Sequence, residues 1–219
     1  MASQYFKQYL AGRAAIEKAA ERRINMTDKT SVDNASPAGK IPRILSVANQ
    51  KGGVGKTTTS VNLATALSAI GQKVLLVDLD PQGNASHHLG IPIYELERSM
   101  KQVMLGEIGI DDVVWETDYK NLDVAPSNLT LDEVEVHSAP GKEMALNVAL
   151  QEMHSEYDFI FIDCPPRLGI FTNSALIACD KIIIPIQTEY FALEGTSQVL
   201  WAIDLVKKRF GKKDLEIGY

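Results

Sequence analysis

The sequence predicts an α/β fold of three layers, in which a mostly parallel β-sheet carries helices on both of its faces. Short apolar runs alternate along the chain with longer segments of helical spacing, and this rhythm is typical of parallel α/β domains. A glycine-rich loop that contains lysines lies between the first apolar run and the first helical segment, at residues 49–59. The length of 219 residues suits a single domain of this kind.

The first strand is predicted at residues 44–48, where a short apolar run has the composition of a buried parallel strand. The helix after the glycine-rich loop carries apolar residues at helical spacing between residues 61 and 70, and Gly71 ends it. The next strand covers 73–78. His87 and His88 are assigned to a loop rather than to a metal site, because no third ligand is near them in sequence.

The second half of the chain continues the same alternation of strands and helices. Helices are predicted at 94–105, 144–154, 171–178 and around 199–206, and strands end at 122–126, 159–163 and 181–186. The hydrophobic share of 45% and the charged share of 23% are typical of a water-soluble globular chain. The two cysteines fit a reducing cytoplasm, and neither has the spacing of a metal ligand.

The loop at residues 49–59 fits an unusual form of the phosphate-binding pattern G-x-x-x-x-G-K-[ST]. Gly55, Lys56 and Thr57 match the second half of the pattern, whereas Gln50 stands in the place of the first glycine. An additional lysine, Lys51, follows directly. Two lysines can therefore contact the phosphates of one nucleotide, which favours ATPases that work as pairs over ordinary kinases and small GTPases.

The chemistry of this loop follows from its place before a helix. Backbone N–H groups and the helix dipole favour an anion at a helix N-terminus. Gly52, Gly53 and Gly55 allow the backbone to curl so that several N–H groups face the phosphates. Lys56 is predicted to reach the β- and γ-phosphates of ATP, and the hydroxyl of Thr57 to hold Mg²⁺. A glycine-rich turn without a ligand is the less favoured interpretation, since strand, glycines, lysine–threonine pair and helix coincide.

Two acidic residues at the ends of predicted strands complete the nucleotide site. Asp80 follows the strand at 73–78, and Asp163 ends the strand at 159–163. Ligands of open α/β sheets bind at the carboxyl ends of the strands. Asp163 suits a Mg²⁺-linked role through a water, and Asp80 suits either orienting the attacking water or holding a loop. A lone acid at a strand end is more often a helix cap or a solvated residue, but the upstream phosphate loop favours the functional interpretation.

These motifs make the chain similar to the ParA/Soj family of chromosome and plasmid partition ATPases, within the deviant Walker A, MinD-like class of P-loop NTPases. The resemblance extends from about residue 43 to the C-terminus, and the D-x-D-P-Q-G-N block distinguishes ParA/Soj from MinD relatives. Metal-binding cysteines, which the nitrogenase iron protein uses, are missing. The segments that carry the resemblance are 51–59, 77–86, 163–166 and 185–195.

The resemblance implies a P-loop NTPase in which ATP and Mg²⁺ drive a sandwich dimer. Lys51 would cross the interface to the partner's phosphates as an arginine finger does, and Asp80 would be needed for slow hydrolysis. The catalytic residues are then Lys51, Lys56 and Asp80. The expected nucleotide-binding residues are Lys51, Gly52, Gly53, Val54, Gly55, Lys56, Thr57, Thr58, Asp163 and Pro165. The expected Mg²⁺ site comprises Thr57, Asp80 and Asp163, partly through water.

The resemblance also implies partners and a location. The dimer would bind duplex DNA without sequence preference, a ParB-type protein would stimulate hydrolysis, and the chain would serve DNA segregation as a cytoplasmic, nucleoid-associated protein. The alternative is a related nucleotide switch that positions another cargo, or a short ATP-binding regulator without DNA transport. A membrane partner is not expected, because no stretch approaches the ~20 apolar residues of a membrane span.

The net charge of −6 argues against attraction of DNA by the whole surface, although a local patch can still bind phosphates. The best candidate patch, called the basic cluster below, comprises Lys207, Lys208, Arg209, Lys212 and Lys213. It follows apolar residues of helical spacing, so it is predicted to end a helix. Contact with DNA and plain complementation of the helix C-terminus by cations both stay open.

The two ends of the chain differ from the family pattern. Residues 1–40 are predicted to form an appended helix at 3–24 and a polar linker, with seven basic and four acidic residues giving a charge of +3. Packing or dimerisation is favoured for this helix over contact with DNA or a partner. The ATPase domain is assigned to 41–219, and a further strand is predicted to start at 214–219. Family members continue beyond that strand, so the C-terminal end of the family fold is expected to be missing.

Overall fold

A computed structural model of the chain describes residues 42–136, 141–153, 156–188 and 192–218. The appended helix and linker predicted at 1–40 lie outside the described residues. The strands are β1 Arg43–Val47, β2 Val74–Asp78, β3 Trp115–Glu116, β4 Leu122–Ala125, β5 Phe159–Asp163, β6 Lys181–Ile183 and β7 Glu216–Gly218. Their order in the sheet is β3-β4-β2-β5-β1-β6-β7. All neighbouring pairs are parallel except β3 with β4.

The centre of the sheet is formed by buried strands whose carboxyl ends are level with one another. Every residue of β2 is buried, as expected for a parallel strand covered on both faces. Asp163, the last residue of β5, is in register with Val47 of β1 on one side and with Asp78 of β2 on the other. Three strands therefore end at one point, and the segments that follow them meet there.

Helices cover both faces of the sheet, as the sequence predicted. They are α1 Lys56–Ala69, α2 Asn84–His88, α3 Met100–Leu105, α4 Glu133–Val136, α5 Ala145–Gln151, α6 Ile170–Ala178 and α7 Ala192–Phe210. Helices α1 and α2 contribute to a core that includes Val74 and Phe161, whereas α3, α5, α6 and α7 contribute to a larger core that includes Ile160. Within the described ranges, no helix has both the length and the apolar content needed to cross a membrane.

Several elements differ from the sequence-based prediction. The helix predicted at 94–105 begins only at Met100, because Ser99 forms a capping box: its hydroxyl accepts from the N–H of Lys101, and its own N–H donates to the Gln102 side chain. The assignment of the adjacent histidines to a loop was wrong, since both lie in α2. The short antiparallel strand β3 was not predicted, because two residues leave no periodic pattern.

The strand predicted at 181–186 ends three residues early, at Ile183. Pro185 has no N–H to donate to a neighbouring strand. Its carbonyl oxygen instead accepts a 2.8 Å hydrogen bond from the side chain of Asn49, the first residue of the phosphate loop. This hydrogen bond holds the segment after β6 against the phosphate loop. The strand predicted to start near residue 214 is confirmed as β7, which pairs with β6.

Candidate nucleotide site

The phosphate loop lies between β1 and α1 in a conformation that requires glycine at two positions. Gly53 and Gly55 have φ values of 72° and 91°, in the left-handed region that side chains disfavour. Gly55 is also the N-cap residue of α1, so the helix N-terminus opens directly into the loop. Gly52, Gly53 and Thr58 are exposed, whereas Val54 is buried and anchors the loop on the domain. The N–H groups of the loop are therefore accessible to an anion.

Lys56 lies beneath the loop as a largely buried cation. Only 7% of the residue is exposed, and its Nζ donates a 3.2 Å hydrogen bond to the backbone oxygen of Lys51. Burial lowers the pKa of Lys56, while the carboxylates of Asp163 and Asp80 act in the opposite direction. A phosphate anion above the loop would add to the stabilisation that these two carboxylates give the buried ammonium.

Asp163 is held by two hydroxyl groups from the first turns of α1. Thr57 Oγ1 donates to one carboxylate oxygen and Ser60 Oγ to the other, both at 2.7 Å. Burial raises the pKa of Asp163 to about 6, and the two hydroxyl hydrogen bonds reduce that rise. The sequence analysis did not identify Ser60. Its place three residues after Thr57, on the same side of the helix, was the available signal.

The oxygen atoms around Asp163 fit a magnesium ion. Mg²⁺ prefers hard oxygen ligands and is usually bound by one or two protein groups together with substrate phosphates and water. Thr57 and Asp163 offer a hydroxyl and a carboxylate 2.7 Å apart beside the loop. No group of three or more His, Cys, Asp and Glu side chains that could hold a metal occurs within the described part of the chain. Phosphate oxygens and water would therefore complete the coordination. Pro165 is buried next to this point.

Asp80 lies in the segment 79–86, called the first switch loop here. One of its carboxylate oxygens accepts from the N–H of Gln82 at 3.0 Å, and its backbone oxygen accepts from the N–H of Gly83 at 2.8 Å. Asp80 is 8% exposed. The side chain is thus fixed in a tight turn at the edge of the site, within electrostatic reach of Lys56 and Asp163.

Asp78, to which the sequence analysis gave no role, holds the first switch loop from the end of β2. Its fully buried carboxylate accepts hydrogen bonds from Asp80 N at 3.1 Å, Ser86 N at 2.9 Å and Ser86 Oγ at 2.7 Å. Burial and the neighbouring charge of Asp163 raise the pKa of Asp78 to about 7. The first of the two aspartates in the D-x-D block therefore supports the loop that carries the second.

Lys51 is folded back over its own phosphate loop. Its Nζ donates to Gln187 Oε1 at 3.4 Å, and Gln187 Nε2 donates to the backbone oxygen of Gly53 at 3.0 Å. The backbone N–H of Lys51 donates to Asn49 Oδ1 at 3.1 Å. Gln187 lies in the family segment 185–195, but its role does not follow from the sequence, because its contact with Lys51 joins residues 136 positions apart.

The predicted interface region after β6 lies close to the phosphate loop where it is described. Residues 189–191 lie outside the described ranges. Gly195, in the first turns of α7, is packed so tightly that a Cβ atom there would lie 3.0 Å from Asn49 Oδ1 and 3.5 Å from Lys51 Cβ. The N-terminal part of α7 therefore packs against the first residues of the loop.

The basic cluster lies at the other end of α7. Lys207, Lys208 and Arg209 occupy its last turn, and Lys208 Nζ forms a 2.6 Å ion pair with Asp204. A helix of 19 residues is about 28 Å long. The structure thus brings Lys51, Lys56 and the site carboxylates together but leaves the basic cluster at a distance, where its cations complement the helix C-terminus.

The chain matches proteins of known family over most of its length. A family model described as an AAA domain matches residues 42–217. The chain is 46% identical over 168 residues to the sporulation initiation inhibitor protein Soj of Bacillus subtilis, which covers 76% of this chain and 66% of Soj. It is 45% identical over 170 residues to the chromosome partitioning protein ParA of Myxococcus xanthus, covering 77% of this chain and 60% of that protein. The chain thus spans about two thirds of Soj and less of ParA.

Solved structures of nucleotide-bound proteins share the fold. A plasmid partition protein of Borrelia burgdorferi bound to AMPPNP superposes with a TM-score of 0.69 at 32% identity, over 81% of this chain and 72% of that chain. Cobyrinic acid a,c-diamide synthase of Mycobacterium smegmatis with bound ADP and magnesium superposes with a TM-score of 0.76 at 38% identity, over the same shares. The fold of this chain therefore occurs in proteins whose structures hold adenine nucleotides.

Proposed function

Because this chain belongs to the ParA/Soj family of partition ATPases, we propose that it binds ATP with Mg²⁺ at the phosphate loop, dimerises around the nucleotides and hydrolyses ATP slowly. One observation carries the proposal. Lys56, Thr57 and Asp163 converge at the carboxyl edge of the sheet beside the open N-terminus of α1. Hydroxyl, carboxylate and ammonium groups at a helix N-terminus are the set that a nucleoside triphosphate with a divalent cation requires.

Binding is assigned to the loop and to α1. The N–H groups between Gly52 and Thr58 would surround the phosphates, with Lys56 at the β- and γ-phosphates and buried Val54 and Pro165 supporting the surrounding backbone. Mg²⁺, when bound, offsets the negative charge that the phosphates bring. Thr57 and Asp163 would hold it, with Asp80 contributing through water.

Hydrolysis is assigned to the first switch loop and to the signature lysine, Lys51. A water attacks the γ-phosphorus, the bond from that phosphorus to the bridging oxygen of ADP breaks, and ADP and phosphate are released. Asp80 would orient the water, and Asp78 would keep Asp80 in place through the loop backbone. Lys51 of the opposite subunit would stabilise the charge on the transferred group, as an arginine finger does.

We further propose that the ATP-bound dimer binds duplex DNA without sequence preference through the basic cluster, and that a ParB-type protein stimulates hydrolysis. These steps would place the protein on the nucleoid in the cytoplasm, in DNA segregation. The curated relatives named above are a chromosome partitioning protein and Soj, and they support this proposal. A nucleotide switch that positions another cargo would use the same dimer without DNA.

The first experiment is fluorescence anisotropy of a labelled non-specific duplex, titrated with the full chain in Mg-ATP and then in Mg-ADP. Salt-sensitive binding in ATP alone is the expected result, since only the dimer presents two copies of the basic cluster. Light scattering on the same samples reports the dimer independently. A dimer in ATP that leaves the DNA unbound would reject the DNA-binding part and favour the switch for another cargo.

Three variants separate the proposed roles. Lys56→Ala should weaken ATP binding about 100-fold, because a charge-assisted contact with phosphate contributes roughly 3 kcal/mol.

Lys51→Ala should retain ATP binding but lose the dimer. Asp80→Ala should accumulate the dimer, because hydrolysis stops. A monomeric Asp80→Ala chain in saturating Mg-ATP would contradict the assignment of Asp80 to hydrolysis.

A further inference from the structure

We propose that Gln187 is a latch that holds the signature lysine, Lys51, over its own phosphate loop in the nucleotide-free chain and releases it when the dimer forms. The consequence for dimerisation rests on the function proposed above, in which Lys51 reaches the opposite subunit. The latch itself is a property of one chain. It makes Gln187 a positioning residue for the lysine and for the loop.

The contacts of Gln187 determine how its side-chain amide is oriented. Oε1 accepts from the ammonium of Lys51 at 3.4 Å, and Nε2 donates to the backbone oxygen of Gly53 at 3.0 Å. An ammonium has only donors and a carbonyl oxygen only accepts, so a flipped amide would oppose donor to donor and acceptor to acceptor. Both ends of one side chain are therefore used, one on the lysine and one on the loop.

The segment that carries Gln187 is itself fixed to the domain from two sides. The carbonyl oxygen of Pro185 accepts from Asn49 Nδ2 at 2.8 Å, and the N–H of Ile184 donates to the backbone oxygen of Gly218 at 3.2 Å. Asn49 in turn accepts from the backbone N–H of Lys51 at 3.1 Å. The latch therefore connects a strand end, the phosphate loop and the signature lysine in one continuous set of hydrogen bonds.

The strength of the latch suits a contact that opens. A 3.4 Å separation between ammonium and amide oxygen is at the long end for a hydrogen bond, and the acceptor is neutral. A nucleotide phosphate on an opposing subunit would be a stronger acceptor, since both partners are then charged. One amide group makes both contacts, so movement of Gln187 away from Lys51 also disturbs its contact with Gly53. The latch therefore couples the lysine to the conformation of the loop.

Two substitutions of Gln187 should act in opposite directions. Gln187→Ala removes both the contact with the Lys51 ammonium and the contact with the Gly53 backbone. Gln187→Glu places a carboxylate beside the ammonium, which strengthens that contact, and it removes the donor to Gly53. Gln151→Ala is the matched control, because Gln151 is an exposed glutamine at the end of α5, a helix that packs against α3 and α6.

The first test measures the chemical reactivity of Lys51 in the nucleotide-free full chain, and it does not require a dimer. Brief acetylation with an N-hydroxysuccinimide ester, followed by mass spectrometry, gives the reactivity of Lys51 relative to exposed Lys120 of the same chain. We expect Gln187→Ala to raise that ratio about threefold or more, since Lys51 loses a hydrogen-bond acceptor. Gln187→Glu should lower it, and Gln151→Ala should leave it unchanged. An unchanged ratio in Gln187→Ala would overturn the latch.

The second test measures the effect of Gln187 on dimer formation. It uses the Asp80→Ala background, in which the dimer is expected to accumulate. The ATP concentration that gives half of the dimer, followed by light scattering, should fall about threefold to tenfold in Gln187→Ala and rise in Gln187→Glu. ATP affinity of each variant, from titration of a fluorescent ATP analogue, separates this effect from a change in the loop. Equal midpoints in the two variants would reject the control of dimerisation.

Together, the two tests distinguish a failure of the latch from a failure of the proposed function. If the unmodified chain stays monomeric in saturating Mg-ATP, the proposed dimer fails, and the acetylation ratio alone then decides whether Gln187 holds Lys51. If the dimer forms and the ratio does not respond to Gln187→Ala, the latch fails while the proposed function stands.

Discussion

At the scale of single residues, the site is dominated by two buried carboxyls that end neighbouring strands. Asp78 and Asp163 are in register at the ends of β2 and β5, and both are fully buried. Lys56 is the nearby cation, and it is itself largely buried. Two negative groups beside one positive group in a dry environment favour uptake of a proton or a cation. A magnesium ion that enters with the nucleotide would relieve the same repulsion.

This arrangement predicts that the nucleotide-free chain loses stability as pH rises from about 4 to about 7. The pKa of Asp78 is raised from 3.8 to about 7 in the folded chain, so in this window the folded state binds more protons than the unfolded state. The free energy of unfolding that Asp78 contributes therefore falls as pH rises. Asp163, whose pKa is raised to about 6, acts with the same sign.

Substitutions at Asp78 and Ser86 isolate this contribution in urea unfolding measured at several pH values. Asp78→Asn cannot ionise, so the difference between its free energy of unfolding and that of the unsubstituted chain should shift in favour of the variant by about 3 kcal/mol between pH 4 and 7. Its lost hydrogen bonds add a constant offset. Ser86→Ala removes a hydrogen bond that lowers the pKa of Asp78, so the fall should be steeper. Parallel pH curves for all three chains would contradict the assignment.

Gly83 is a residue whose missing side chain shapes the first switch loop. Its φ is 62°, and a Cβ atom would lie 2.8 Å from the backbone oxygen of Ser127. Gly90 has a similar φ of 84° but open space around it. Gly83→Ala should therefore cost about 1 to 3 kcal/mol more stability than Gly90→Ala. Both variants strain a left-handed backbone conformation, but only Gly83→Ala also requires the Ser127 backbone to move. It should also lower ATP turnover by displacing Asp80.

Chemical unfolding and single-turnover hydrolysis of the two glycine variants check this prediction together. Gly90→Ala controls for the strain of a left-handed residue alone. Equal losses of stability in both variants would mean that the Ser127 contact has no influence on the loop.

At the scale of elements, α7 connects the phosphate loop to a distant surface. Gly195 near its start packs against Asn49 and Lys51, and the basic cluster lies at its end. The segment that follows β5 makes a similar link in another direction, because Arg167 lies 3.4 Å from Asp132 and 3.9 Å from Glu135, which belongs to α4. These ion pairs are exposed and contribute little stability, so they are free to rearrange.

The place of the basic cluster predicts a separable effect on DNA. Lys207→Glu combined with Lys208→Glu should weaken binding of duplex DNA at least tenfold in Mg-ATP, because phosphate contacts are lost and repulsion is introduced. ATP-driven dimerisation should persist, since Lys207 lies 12 residues, or about 18 Å along α7, beyond Gly195, which packs against the phosphate loop. Fluorescence anisotropy and light scattering measure the two effects.

The matched control carries the same change in net charge elsewhere. Arg98 and Lys120 are exposed and lie outside α7. Arg98→Glu combined with Lys120→Glu should leave DNA affinity within about threefold, since the distributed charge matters less than the local patch. An equal loss in both double variants would mean that overall charge, rather than the basic cluster, governs the affinity.

At the scale of the whole molecule, the described residues are organised around one seven-stranded sheet. Its buried hydrophobic residues extend from Val47 to Leu215 and form cores on both faces. β1 starts at Arg43 and pairs with β5 and β6, so the first described residues are already part of the sheet centre.

Removal of residues 1–40 therefore should leave a folded domain. The melting temperature of a chain that starts at residue 41 should stay within about 4 °C of the full chain, equivalent to roughly 1 kcal/mol for a domain of this size. Affinity for a fluorescent ATP analogue should be unchanged. A chain that fails to fold would contradict the domain boundary, and an altered ATP concentration for dimerisation would support the dimerisation role predicted for the N-terminal helix.

The sequence by itself determined the layered fold, the phosphate loop and the positions of Asp80 and Asp163. These features follow from local rules: apolar runs mark parallel strands, glycines and Lys56 mark an anion site, and acids at carboxyl strand ends share one edge of the sheet. The family resemblance depended on the same contiguous motifs. Element boundaries such as the start of α3 were less predictable, because they depend on one capping interaction.

Only the tertiary structure decided the contacts between distant segments. Ser60 meets Asp163 across 103 positions of sequence, and Gln187 meets Lys51 across 136. Asp78 is recognisable as a support only once its hydrogen bonds to Ser86 are seen. The physical reason is that periodicity and motif spacing constrain the backbone locally. A hydrogen bond between side chains depends on which strands pair, in which register, and on which loops the sheet brings to the same edge.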